Sequence, residues 1–162
     1  MSETPPPEEV ATWQRRLASQ ANNRAWSLSE SLGRTPEEDE EMLQAAHAAM
    51  YFWKKAGNAN NHAHAALLVA HAYALLRLPG PAKHYLRQFQ PFFLDQESKP
   101  WELALSHAVV ANVAAAAGEG DAHARHYAEA ARLIAELPDP EDREILDATL
   151  RVIPVPGAKG AA

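Results

Sequence analysis

Cysteine is absent from the 162 residues, which removes disulfides, thiolate nucleophiles and cysteine-ligated zinc or iron–sulfur centres from consideration. A reducing compartment suits such a chain, and the cytoplasm is the expected location. The stretch MSETPPPEEV has neither the basic nor the apolar segment of a secretory signal, and no apolar run reaches the roughly 20 residues needed to span a bilayer. No membrane partner is expected. A basic surface is missing too. The formal net charge is −6 with neutral histidines, whereas nucleic-acid binders usually carry a clustered basic face, so no nucleic-acid partner is expected either. Catalytic signatures are equally scarce: GxSxG, a Walker A loop, GxGxxG, HExxH and the Glu-x-x-His of di-iron bundles are all lacking. The reading favours a protein that is not an enzyme.

What the chain has in abundance is alanine, while β-branched residues are few, a helix composition rather than a sheet composition. Proline and glycine punctuate it at Pro5 to Pro7, Gly33 with Pro36, Gly57, Pro79 to Pro81, Pro91 and Pro100, Gly118 with Gly120, Pro138 with Pro140, and Pro154 to Gly157. The predicted fold is all-α, about seven helices in antiparallel hairpins, forming a right-handed array or a compact helical bundle. Residues 1–153 are expected to form one domain and 154–162 a disordered tail. Helix 1 is predicted over about 7–31, with Val10, Trp13, Leu17, Ala21 and Leu28 on its apolar stripe. Thr35-Pro36-Glu37-Glu38 opens helix 2 as a capping box with proline in the first turn. Helix 4 is predicted from Pro81 to about Gln90. Helix 5, about 100–117, carries a single formal charge, Glu102, and is therefore expected at the centre of the domain. Helix 6 is expected to bury Tyr127, Ala130, Ala131 and Ile134, and helix 7, from near Pro140, to bury Ile145, Leu146 and Leu150.

Helices 3 and 4 align with helices 5 and 6. His84-Tyr85 falls on His126-Tyr127 at an offset of 42, and before the intervening turn the offset is 41. A repeated helix–turn–helix unit marks a solenoid, in which neither hairpin buries its apolar face alone. The segment GEGDAHARHYAEAARLIAELPDP resembles the second helix of a tetratricopeptide repeat, with Gly120-Asp121 at the turn, then Ala124, Tyr127, Ala131 and Pro138. The period exceeds the family's 34 residues, and the first-helix tryptophan, leucine, glycine and tyrosine are missing. EEDEEMLQAAHAAMYFW together with PDPEDREILDATLRVIP also resembles a group of small bacterial repeat-like proteins. The resemblance implies a groove for a peptide or another protein, and it implies no chemistry.

Three histidines fall within ten positions of NNHAHAALLVAHAYALL. His64 and His71 share an apolar helix face with Leu67, Leu68 and Leu75, whereas His62 points the other way. A spacing of seven residues separates the two Cα atoms by about 10 Å along the axis, too far for one ion to take both side chains easily. His123 and His126 are the only i,i+3 pair, and nothing points to further ligands, so no metal or other cofactor is expected. His71 aligns with Asn112, which shares a stripe of helix 5 with Trp101, Leu105 and Ala108. Each is a polar residue on an otherwise apolar face, and two readings stay open: a satisfied polar group in the core, or a residue lining a groove. His107, on the other face of helix 5, carries the same ambiguity. His47 and Tyr51, four residues apart on helix 2, border its apolar face. Trp26, Tyr51, Phe52 and Trp53 either glue helices together or form an aromatic cage.

The function expected from these features is non-catalytic binding of a peptide or protein partner in a helical-repeat groove lined by His47, Tyr51, His64, His71, His107 and Asn112. The alternative is a small-molecule- or metal-binding helical bundle, an enzyme included, that uses the same histidines around an internal cavity. A homodimer is left open.

Overall fold

The computed structural model describes residues 4–158. Among these the chain forms seven α-helices and no strand: α1 Pro7–Ser29, α2 Pro36–Ala56, α3 Ala59–Leu75, α4 Pro79–Phe93, α5 Pro100–Ala116, α6 Gly120–Glu136 and α7 Pro140–Arg151. Their starts follow local chemistry. The Glu38 amide donates to Thr35 Oγ1 at 3.2 Å while the Thr35 amide donates to Glu38 Oε2 at 2.9 Å, which closes the expected capping box. Asn58 and Asn61 repeat the device at α3, each amide bonded to the other side chain at 3.0 Å. Gly57, between these two helices, is where backbone closeness demands glycine, since a Cβ there would lie 2.7 Å from the Trp53 carbonyl oxygen.

The helices pair as three hairpins, α1 with α2, α3 with α4 and α5 with α6, and α7 follows. α3 packs on both α1 and α5, and α5 also packs on α7, so α1, α3, α5 and α7 lie side by side as one layer. The second helices α2, α4 and α6 form the other layer, each resting on the next first helix. This arrangement is compatible with a helical-repeat fold. α3 and α5 are apolar around most of their circumference, and they supply most of the core, from Leu67, Leu68 and Val69 to Val109 and Val113. Phe89 and Phe93 of α4 fill the space between them and the outer layer. No helix among the described residues is long and apolar enough to cross a membrane.

Several local expectations are corrected. α4 begins two residues early, at Pro79, and continues through Pro91, whose exposed position lets the helix pass with one hydrogen bond fewer. Trp13 and Leu17 are 46% and 45% exposed, because α1 ends its layer and packs chiefly on α2 and α3. Leu28 of the predicted stripe is buried as expected, and Ala18, Ala25 and Ser29 are the other buried residues of α1. Ala131 is exposed, and so is Ile145, which faces the cleft described below. Of the predicted C-terminal tail, residues 159–162 lie outside the described residues.

Burial on this scale has a dynamic consequence. Amides that exchange only on global unfolding should concentrate in α3 and α5, with the first half of α1 exchanging soonest. Hydrogen-exchange mass spectrometry showing α5 exchanging faster than α1 would move the centre of the domain elsewhere.

Candidate functional site

The four first-layer helices leave an open cleft of about 580 Å³. α1 lines it with Asn22, Trp26 and Glu30, spaced four residues apart so that they share one helix face. α7 lines the opposite wall with Asp142, Ile145, Leu146 and Thr149, again at the spacing of a single face. The floor comes from Asn60, Asn61 and His64 of α3 and from Trp101, Glu102 and Leu105 of α5, while Trp53 and Lys99 stand at its rim. Three of the chain's four tryptophans therefore meet in one place.

Glu102 organises the floor. It is the one charged residue in the buried set, 5% exposed. Its Oε1 accepts hydrogen bonds from Asn60 Nδ2 at 3.0 Å and from His64 Nε2 at 2.9 Å. Its Oε2 has only a long contact, 3.4 Å, with the Lys99 amide. Burial opposes the charge on this carboxylate, yet the bonds from Asn60, His64 and the Lys99 amide outweigh it and hold the group below the usual carboxylate range. Glu102 is thus an ionised carboxylate with an under-used oxygen. The His64 ring in turn stacks on Trp101, 5.3 Å between centroids and 12° between planes, and leans on Phe93.

Of the six residues singled out from sequence, only His64 lines this cleft. His71 and Asn112 are buried in the core at the α3–α5 contact, where Asn112 Nδ2 donates to His71 Nδ1 at 3.1 Å. Burial, reinforced by the positive charge of Arg34, pushes His71 down to about 3, so the imidazole is neutral. Asn112 also reaches a second cavity of about 100 Å³ beside Arg34 and Arg77. His47 hydrogen-bonds with the Tyr73 hydroxyl at 2.9 Å and meets Tyr85 edge-on, away from the cleft, and burial lowers its affinity for a proton. Tyr51 is 58% exposed, packed edge-on against Phe52 with the Lys55 ammonium 5.6 Å from its ring centroid.

His107 pairs with His126 across α5 and α6, Nδ1 to Nδ1 at 2.9 Å, one ring donating and the other accepting. Burial lowers both pKa values, and for His126 the neighbouring His107 and Arg125 add to the effect. His123 is turned elsewhere and donates from Nε2 to the Pro154 carbonyl at 2.6 Å. Likewise His62 donates to the Trp53 carbonyl at 3.0 Å. No group of three or more His, Asp or Glu side chains among the described residues is placed to hold a metal ion.

Sequence reasoning named Trp26, Trp53 and His64 but did not place Asn60, Trp101, Glu102, Asp142 and Ile145 in one site. The usable signal was the internal repeat, because the offset of 41 lays Asn60-Asn61 on Trp101-Glu102, and the equivalent pair His71 and Asn112 is in contact while Asn60 bonds Glu102, one residue past its equivalent.

Fold and site together define a class, an all-α array of helical hairpins with a tryptophan-walled cleft along its first-helix layer. Compared with known proteins, the chain matches no family model, no curated protein and no solved structure.

Proposed function

We propose that this chain is a non-catalytic binding module, a tetratricopeptide-like domain spanning residues 1–153 and working in the cytoplasm, whose first-helix cleft receives a segment of a peptide or protein partner. The observation that carries this reading is the cleft itself. Open concave surfaces lined by successive repeat helices are the binding surfaces of solenoids, and tryptophans held half-buried on such a surface are typical anchors of recognition. The cleft also has the volume of an ordinary small-molecule pocket, and its His64–Glu102 pair has the geometry of an imidazole oriented by a carboxylate. These features favour a small-molecule site as the second reading.

Selection of a displayed random peptide library on the domain, followed by tryptophan-fluorescence titration of the recovered peptides, tests the first reading. Ile145 is exposed and lines the cleft, so Ile145→Trp should fill the cleft without disturbing the core, and binding should weaken at least about tenfold, roughly 1.4 kcal/mol. Recovered peptides that bind this variant undiminished would move the site off the cleft.

A further inference from the structure

We propose that the anchor recognised by this cleft is a cationic side chain, a lysine or arginine of a basic segment in the partner, held against tryptophan faces and neutralised by Glu30, Glu102 and Asp142. The inference rests on the reading of the cleft as a peptide groove and adds the chemistry of its occupant. Three carboxylates, Glu30 at the C-terminal cap of α1, Glu102 in α5 and Asp142 in α7, line the cleft against one ammonium, Lys99. Some acids elsewhere are matched, Glu41 by Arg24, Asp39 by Arg34, Glu119 by Lys83, and Glu129 and Glu136 by Arg132. Among the described residues Glu30 and Asp142 form no such pair. The cleft therefore holds uncompensated negative charge in a mostly apolar cavity, where field lines are weakly screened.

Both features of the wall select for the same ligand. A neutral apolar segment filling the cleft would strip water from Glu30 and Asp142 and return no charge, which penalises it. A guanidinium or ammonium group relieves that penalty, and the indoles of Trp26, Trp53 and Trp101, which line the cleft, attract the same cation through their ring quadrupoles. Glu102 contributes from the floor, its charge fixed by Asn60 and His64 and its Oε2 under-used. An anionic ligand meets like charge on three sides.

The test uses end-capped eight-residue peptide pools with random flanks and one fixed central residue: arginine, lysine, citrulline, N-acetyl-lysine or glutamate. Binding to the full chain is read by tryptophan fluorescence, with butylguanidinium as a free-cation probe. Arginine and lysine pools should bind at least tenfold more tightly than their neutral isosteres, and the preference should shrink as salt rises from 50 to 500 mM. Ile145 supplies a charge control that leaves the core alone. Ile145→Lys should weaken the arginine pool at least tenfold, whereas Ile145→Glu should not weaken it, and equal thermal melts would show both variants folded. Equal binding of arginine and citrulline pools would overturn the cationic anchor while leaving the peptide groove standing. Binding of butylguanidinium that responds to the Ile145 charge, with no pool bound, would overturn the peptide groove and with it the assignment of the cation to a partner's side chain. Silence of every probe overturns both.

Discussion

A His71→Ala or Asn112→Ala variant should lose roughly 1–3 kcal/mol of stability in urea, with the cavity left by the side chain adding to the loss. Both residues are essentially inaccessible, 0% and 1% exposed, and each is the other's hydrogen-bond partner. Truncating one removes the other's side-chain partner deep in the core. The pair is also not fully satisfied, since His71 Nε2 and Asn112 Oδ1 have no hydrogen-bond partner among the described residues. Two consequences separate this account from one in which the residues face a ligand. The double alanine variant should lose less than the sum of the singles, because the bond between the two side chains can be lost only once. A double leucine variant should recover much of the loss, because apolar groups of similar size remove both orphaned atoms together. Single losses below about 1 kcal/mol in both would instead mean that neither group depends on the other, and would return them to the role of ligand-facing residues.

How far the chain announced this arrangement differs from element to element. The capping box at Thr35, the all-round apolar character of α5 and the offset of 41 between His71 and Asn112 are local or near-periodic features, and each has its counterpart in the structure. In a stack of hairpins, equivalent residues of successive first helices become neighbours, so an alignment within one sequence doubles as a contact prediction. The two open readings of His71 could not be separated from that alignment. A polar residue on an apolar face looks the same whether another helix or a groove covers it. The cleft was less legible for a related reason. Asn22, Trp26 and Glu30 on α1 and Asp142 and Ile145 on α7 are more than a hundred residues apart, and no repeat relates their helices. Nor does a helical projection reveal that α1 ends a layer. That is why Trp13 and Leu17, on a convincing apolar stripe, stay exposed while Ala18 and Ala25 are buried.

Acid should weaken the domain well above the range in which carboxylates titrate. His71 is held neutral down to about pH 3 by burial and by the charge of Arg34, whereas the same imidazole in the unfolded chain protonates near 6.5. Below 6.5 the unfolded state therefore binds the additional proton, and stability falls as pH falls, a loss that continues until the folded imidazole also titrates. Above 6.5 both states are neutral and His71 makes no pH-dependent contribution. Moving from pH 7 to pH 5 should cost about 2 kcal/mol from His71 alone, and the whole window down to pH 3 about 4 kcal/mol. His47, His107 and His126 are also shifted downward by burial and push in the same direction. Glu102, whose folded form is held below the ordinary carboxylate value, adds its loss only at lower pH, as protons reach it. The limb between pH 6.5 and 5 thus belongs to buried histidines. Urea melts of the wild-type chain and of His71→Asn at pH 7, 6 and 5 read out the difference. The wild type should lose about 2 kcal/mol more than the variant across that interval, because asparagine has no proton to take up in either state. Parallel pH profiles for the two proteins would mean that His71 protonates as readily inside the fold as outside it, and would contradict its burial against Trp26 and Asn112.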